Sequence, residues 1–156
     1  MFSSFFPSPR YFFVSSSAWI MALILVWYTL GESIGTFLGF NLQESQTVIG
    51  LGHFITPDFL WFDAYFLFGA GSIYLFWHFK TKHTWSNWSI LGSALLIYLS
   101  YTSVQVSVVI NAWYGPFYDD IQNALSGSGE VTALDLYSHL GTFSLIAFPY
   151  IALIIA

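Results

Sequence analysis

Side chains that could line a hydrated pathway lie within the apolar stretch 88–113. At about 100° per residue, a helix would place an amide, phenols and a hydroxyl on one face of this stretch. These residues are Tyr98, Tyr101, Thr102 and Gln105. The opposite face carries Ser100, Ser103, Ser107 and Asn111. Such groups either line a transport pathway or allow helices to pack closely and form hydrogen bonds, and both interpretations stay open.

An acid inside an apolar stretch is a second candidate for chemistry. Asp63 lies about four residues inside the stretch 59–79, which at helical rise is roughly 6 Å below the membrane boundary. An ionisable residue within a span is a candidate for proton transfer or substrate binding. At this shallow depth the carboxylate can alternatively reach the headgroups or a hydrated vestibule. We therefore count Asp63 among the transport-pathway candidates, with an interfacial acid as the alternative.

Aromatic and acidic residues follow the stretch 88–113 directly. Pro116 is expected to bend or end the helix. Phe117, Ile121 and Leu125 then recur at helical spacing, which predicts a short amphipathic helix at the outer membrane surface with its acids towards water. We call the candidate residues of this segment the outer motif: Trp113, Tyr114, Pro116, Phe117, Tyr118, Asp119 and Asp120.

The remaining residue types give no sign of a cofactor site. The chain has four histidines and no cysteine. The histidines fall at different predicted depths, whereas haem or metal ligands must converge. The sequence has no G-x-x-x-x-G-K-[ST] loop for nucleotide hydrolysis. We expect no cofactor, no metal, no enzymatic activity and no nucleic-acid partner.

The composition requires a lipid bilayer around the chain. Hydrophobic residues make up 56% of the 156 residues and charged residues 7%, against roughly a quarter charged in soluble domains. A membrane-spanning helix needs roughly 20 mostly apolar residues. The predicted fold class is therefore all-α integral membrane, with about four transmembrane helices. The predicted spans are 11–31, 59–79, 88–113 and 137–156.

The basic residues predict the orientation of these spans. They are Arg10, Lys80 and Lys82. All lie before the first span or between the second and third, so the positive-inside rule makes the N-terminus and the loop 80–87 cytoplasmic. The loops 32–58 and 114–136 then face outward, and the sequence leaves open whether 32–58 partly re-enters the membrane. Their acids would attract a cationic ligand, although selection for orientation alone gives the same asymmetry.

Several segments resemble the SbmA/BacA-type peptide-antibiotic transporters. They are Trp85-Ser-Asn-Trp-Ser-Ile-Leu-Gly-Ser-Ala-Leu-Leu-Ile97 and the run from Val106 through Asn111-Ala-Trp-Tyr-Gly-Pro-Phe-Tyr-Asp119 to Leu125. The opening Met1-Phe-Ser-Ser-Phe-Phe-Pro-Ser-Pro9 and the segment Asp58-Phe-Leu-Trp-Phe-Asp-Ala-Tyr65 look like the N-terminus of the same family. The resemblance therefore extends over almost the whole chain.

The resemblance implies a homodimeric bacterial inner-membrane protein that imports antimicrobial peptides and is driven by the proton gradient. We expect these peptides to be cationic. Its membrane domain is similar to that of ABC exporters but lacks the ATPase. Family members are longer, so we expect this chain to be the N-terminal part of one transmembrane domain. Gln105 stands where the family often has a glutamate, and Asp63 stands where we expect a neutral aromatic residue. The proton-coupling glutamates are expected beyond residue 156.

Two other functions stay open from the sequence. The chain could be the membrane domain of an ABC-type transporter that works with a separate ATPase. It could also be a membrane subunit of a respiratory or quinone-reducing enzyme, which would need histidine ligands or a partner subunit.

Overall fold

The regular structure of this chain is helical. The computed structural model describes residue 6 and residues 8–42, 48–83, 85–127 and 131–155. Helix α1 is Pro9–Phe37, α2 is Pro57–Lys80, α3 is Ser93–Ser126 and α4 is Ala133–Ile155. A short 3-10 helix, Leu51–Ile55, precedes α2, and a π-helical turn, Trp88–Gly92, leads into α3. The predicted all-helical fold class is confirmed.

Within the described residues, three helical stretches are long and apolar enough to cross a bilayer. They are Pro9–Phe37, Pro57–Lys80 and Trp88–Ser126, and each contains one of the first three predicted spans. The chain is therefore a membrane protein whose helices contact lipid. Proline opens both α1 and α2, because the first turn of a helix has no partner for the missing N–H.

The chain divides into two compact units, and α3 contributes to both. The first unit comprises Met1–Glu44 and Pro57–Tyr98, and the second comprises Ser45–Thr56 and Leu99–Ala156. Because each unit has its own contacts, each is described by itself.

In the first unit, hydrogen bonds from large side chains join α1 to α2. The indole N–H of Trp19 donates to the carbonyl of Gly69 at 3.0 Å, and the hydroxyl of Tyr65 donates to the carbonyl of Leu23 at 2.7 Å. These bonds satisfy polar tips that lipid cannot satisfy. A cluster of buried side chains completes the unit: Phe12, Trp77 and Ile90.

Gly35 lies where α1 approaches the indole of Trp61. A Cβ at this position would come 2.9 Å from Trp61 Nε1 and 2.6 Å from Leu42 Cδ1. Gly35→Ala is therefore expected to destabilise the first unit by about 1–3 kcal/mol, because overpacking forces the large ring out of its position. The free energy of unfolding, followed by far-UV circular dichroism of the purified protein in mixed micelles, measures this loss.

Gly71→Ala is the matched control for that prediction. A Cβ at Gly71 in α2 would meet no atom of the described residues within 4 Å. Alanine forms helices better than glycine by about 0.5–1 kcal/mol, so this variant should be unchanged or slightly more stable. Equal destabilisation of the two variants would contradict the packing explanation.

In the second unit, α3 and α4 pack through a small apolar core. Val106 and Val109 of α3 are buried against Ile146 of α4. Phe54, from the 3-10 helix, packs on the same core. The segment that precedes α2 is thus attached to this core, which the composition of the predicted loop 32–58 did not reveal. The predicted loop 32–58 also begins too early, because α1 continues to Phe37.

Helix α3 continues through Pro116 to Ser126. Of the two expectations for Pro116, that it bends or that it ends the helix, the second is therefore wrong. The predicted loop 114–136 overlaps α3 up to Ser126 and α4 from Ala133. Two aromatic pairs bridge the proline, and the members of each pair are one helical turn apart. The rings of Trp113 and Phe117 stack at 4.5 Å, and those of Tyr114 and Tyr118 stack at 5.8 Å. These contacts offset the lost backbone hydrogen bond.

Helix α4 lies outside the set of long apolar helices found in the described residues. Its Phe143 ring is 4.9 Å from the ring of Trp113, which is the predicted end of the third span. The predicted fourth span, 137–156, overlaps α4, and residue 156 lies outside the described residues.

Candidate functional site

Five side chains meet where α3 and α4 run side by side, and we call them the hairpin cluster: Trp113, Phe117, Asp120, His139 and Phe143. Trp113 is at its centre and is only 4% exposed. Its indole N–H donates to the carbonyl of His139 at 2.8 Å. Its ring contacts both Phe117 and Phe143. The cluster therefore fixes the register of the two helices.

The polar part of the hairpin cluster is a contact between an imidazole and a carboxylate. His139 Nε2 lies 2.9 Å from Asp120 Oδ2, with 22% and 31% of the two side chains exposed. The ring of Phe117 lies 6.0 Å from the imidazole in an edge-on arrangement. When the imidazole carries a second proton, this hydrogen bond becomes a charge-assisted ion pair.

The start of α4 is held by a capping box. The backbone N–H and the hydroxyl of Thr132 donate to Asp135 Oδ2 at 2.9 Å and 2.7 Å. The Asp135 N–H donates back to the Thr132 hydroxyl at 3.4 Å. The hydroxyl bond, followed by the backbone bond, holds the pKa of the Asp135 carboxyl below its usual range. A fixed negative charge therefore lies one helical turn before His139.

The other residues of the outer motif are on the surface of α3. Tyr114, Pro116, Tyr118 and Asp119 are exposed. The structure therefore brings Trp113, Phe117 and Asp120 of the motif together with α4, and it leaves the stacked tyrosines and Asp119 open to a ligand. Among the described residues, no three His, Asp or Glu side chains converge closely enough to hold a metal ion.

The hairpin cluster lies inside a segment that matches a known family. Residues 82–156 match the model of the SbmA/BacA-like family. Over these residues, slightly less than half of the chain, the sequence is similar to the SbmA/BacA-like family. The matched segment contains α3, α4 and all five residues of the cluster. Members of this family are transporters, and the match supports a role in membrane transport.

Two predicted pathway residues lie within the SbmA/BacA-like segment and contact residues outside it. The hydroxyl of Tyr98 donates to Asp63 Oδ2 at 3.3 Å in the first unit. The other oxygen, Asp63 Oδ1, is buried and has no hydrogen-bond partner among the described residues. In the second unit, the side-chain oxygen of Gln105 lies 2.9 Å from His53 Nε2. Each predicted candidate therefore has a specific polar neighbour within its own unit.

The remaining pathway candidates of the SbmA/BacA-like segment differ in exposure. Tyr101 and Thr102 are half-buried and interact with other groups of the chain. Asn111 is exposed on α3. These placements leave both interpretations of the polar faces open.

The sequence did not indicate the polar partners of the histidines. His139 contacts Asp120, and His53 contacts Gln105. No local sequence signal connects His139 to Asp120 or His53 to Gln105, because both contacts depend on the register between separate segments.

Proposed function

We propose that this chain is the N-terminal portion of a proton-driven importer of antimicrobial peptides in the bacterial inner membrane, homodimeric when full length. The observation that carries the proposal is the position of the SbmA/BacA-like match, which covers the α3–α4 hairpin and its cluster. In this proposal the hairpin faces outward, as the positive-inside rule predicts. The peptide then meets the hairpin before it meets the membrane pathway.

The surface of the hairpin suits a cationic peptide. Asp119 is exposed beside the half-exposed carboxylate of Asp120, and both attract guanidinium and ammonium groups. Tyr114 and Tyr118 offer stacked, exposed rings, on which cations and apolar side chains bind. A ligand that combines positive charge with rigid apolar residues uses both features.

In this proposal the proton gradient supplies the energy, as the similarity to the SbmA/BacA-like family implies. Asp63 is the acidic residue within a predicted span, and its contact with Tyr98 makes it a candidate for the proton pathway. Gln105 cannot bind and release a proton, so it is assigned to hydrogen bonding in the pathway.

The test is peptide uptake in a bacterial strain that lacks its own peptide importer. Expression of the whole gene should make the cells sensitive to a cationic proline-rich peptide. The double variant Asp119→Asn, Asp120→Asn should reduce uptake about tenfold, since a lost charge-assisted contact is worth roughly 1.5–3 kcal/mol. Glu32→Gln, at an exposed acid of α1 outside the family match, is the control and should keep normal uptake.

Three results would contradict the proposal. Cells that stay resistant to the peptide would exclude peptide import. Uptake that survives a proton uncoupler and depends on ATP would indicate an ABC-type membrane domain with a separate ATPase. A haem absorption band in the purified protein would indicate a respiratory or quinone-reducing enzyme.

A further inference from the structure

We propose that His139 and Asp120 form a proton-operated latch that joins the ends of α3 and α4 and weakens cationic-peptide binding at the hairpin cluster when it closes. The mechanical part of this inference stands on the geometry of the hairpin alone. The part that concerns the peptide rests on the proposed function.

The latch contact connects two helices that are otherwise held together by apolar contacts and by the hydrogen bond from Trp113 to the carbonyl of His139. It is the one contact at ion-pair distance within the described residues. The backbone of His139 is already fixed, because its carbonyl accepts the indole N–H of Trp113. A change at the imidazole therefore alters the side-chain contact and leaves the register of the helices in place.

The charged groups around His139 come from both helices. Asp120 faces the imidazole from α3 at 2.9 Å. Asp135 acts on it electrostatically from the preceding turn of α4. The other described neighbours in the cluster, Phe117 and Trp113, are apolar rings. Since 22% of the His139 side chain is exposed, protons can reach it from water.

The direction of the effect follows from this arrangement. With a second proton on the imidazole, the contact pairs an imidazolium with a carboxylate, which is roughly twice as strong as a neutral hydrogen bond. Without that proton the imidazole is neutral and the bond is weaker. Protonation of His139 therefore closes the latch, and loss of the proton loosens it.

Closing the latch changes what the hairpin offers a ligand. In acid, the positive imidazolium neutralises the charge of Asp120 and competes with a guanidinium or ammonium group of the peptide. At neutral pH, the carboxylate is available to the peptide, and Asp119 adds its own charge beside it. Acid should therefore weaken binding of a cationic peptide at this surface.

The mechanical test measures the distance between α3 and α4 at two pH values. Because the chain has no cysteine, the exposed residues Asn123 and Leu134 can be replaced by cysteine and spin-labelled in the full-length protein in lipid nanodiscs. The distribution of distances between the labels should be narrower at pH 5.5 than at pH 7.5. His139→Gln and Asp120→Asn should both remove this difference.

The control is His78→Gln, at an exposed histidine at the end of α2, and it should keep the pH effect. Glutamine at position 139 can still donate a hydrogen bond to Asp120, so the fold is expected to survive, and circular dichroism checks it. An equal distance distribution at both pH values in the unmodified sequence would overturn the latch. Persistence of the pH effect in His139→Gln would overturn it as well.

The second test measures binding of a synthetic peptide of alternating arginine and proline to the same nanodiscs. Affinity should be about three- to tenfold weaker at pH 5.5 than at pH 7.5, and equal at both pH values in His139→Gln. A pH-dependent distance without peptide binding supports the latch and contradicts the proposed function. Peptide binding without a pH-dependent distance supports the proposed function and overturns the latch.

Discussion

Replacement of Trp113 by alanine is expected to destabilise the second unit by about 3–5 kcal/mol. The side chain is almost fully buried between Phe117 and Phe143, and its indole N–H is bonded to the carbonyl of His139. The smaller residue leaves a cavity and removes the contact that sets the register of α3 and α4. The labelling rate of a single cysteine at Val109, which is 1% exposed, should rise by about 100-fold or more as local opening becomes easier.

Two variants separate the ring of Trp113 from its hydrogen bond. Trp113→Phe keeps most of the stacking area and loses the hydrogen bond to the carbonyl of His139. The free energy of unfolding should therefore fall by about 1 kcal/mol, in addition to the effect of the smaller ring. Trp88→Ala is the matched control, because Trp88 is 73% exposed, and it should leave labelling at position 109 unchanged. Comparable losses in Trp88→Ala and Trp113→Ala would contradict the central role of the hairpin cluster.

Replacement of Trp77 by alanine is expected to destabilise the first unit by about 3–5 kcal/mol. Trp77 is 0% exposed, and its ring contacts those of Tyr11 and Phe12. The lost area and the resulting cavity lie in the cluster that joins α1 and α2 to the π-helical turn at Ile90. Chemical labelling of a cysteine at Ile90, together with circular dichroism, measures the effect.

The phenylalanine variant should behave differently at Trp77 and at Trp113. The indole N–H of Trp77 is buried without a hydrogen-bond partner among the described residues. Trp77→Phe removes this unsatisfied donor, whose burial costs about 1–3 kcal/mol, and this gain offsets part of the lost ring volume. Trp77→Phe should therefore be less destabilising than Trp113→Phe. The reverse order would show that the hydrogen bond of Trp113 contributes little.

The sequence predicts the parts of this fold that depend on local chemistry. Apolar stretches of sufficient length predicted the first three long helices. In hydrocarbon the backbone N–H and C=O groups can form hydrogen bonds only with each other, and a helix satisfies all of them. The capping box at Thr132 and Asp135 can be recognised in the sequence because both partners lie within one turn. Proline at position 57 is typical of a helix start because its missing N–H needs no partner in the first turn.

The sequence could not predict the parts that depend on tertiary contacts. Pro116 has a strong local preference for ending a helix, but the contact of Trp113 with Phe143 and the stacking pairs on both sides of the proline outweigh it. The partners of His139 and His53 depend on the register between segments far apart in sequence. Register is set by packing, and periodicity along one helix carries no information about it.

The length of the third helical stretch determines where a ligand first meets the protein. Trp88–Ser126 has 39 residues, or about 58 Å at helical rise, against roughly 30 Å of hydrocarbon. With the boundary at Trp113, Asp120 stands about 10 Å further out, which is about one Debye length at physiological salt. The negative potential of the lipid surface is largely screened at that height. In the proposed function, a cationic peptide is therefore captured from the aqueous compartment, with little competition from anionic headgroups.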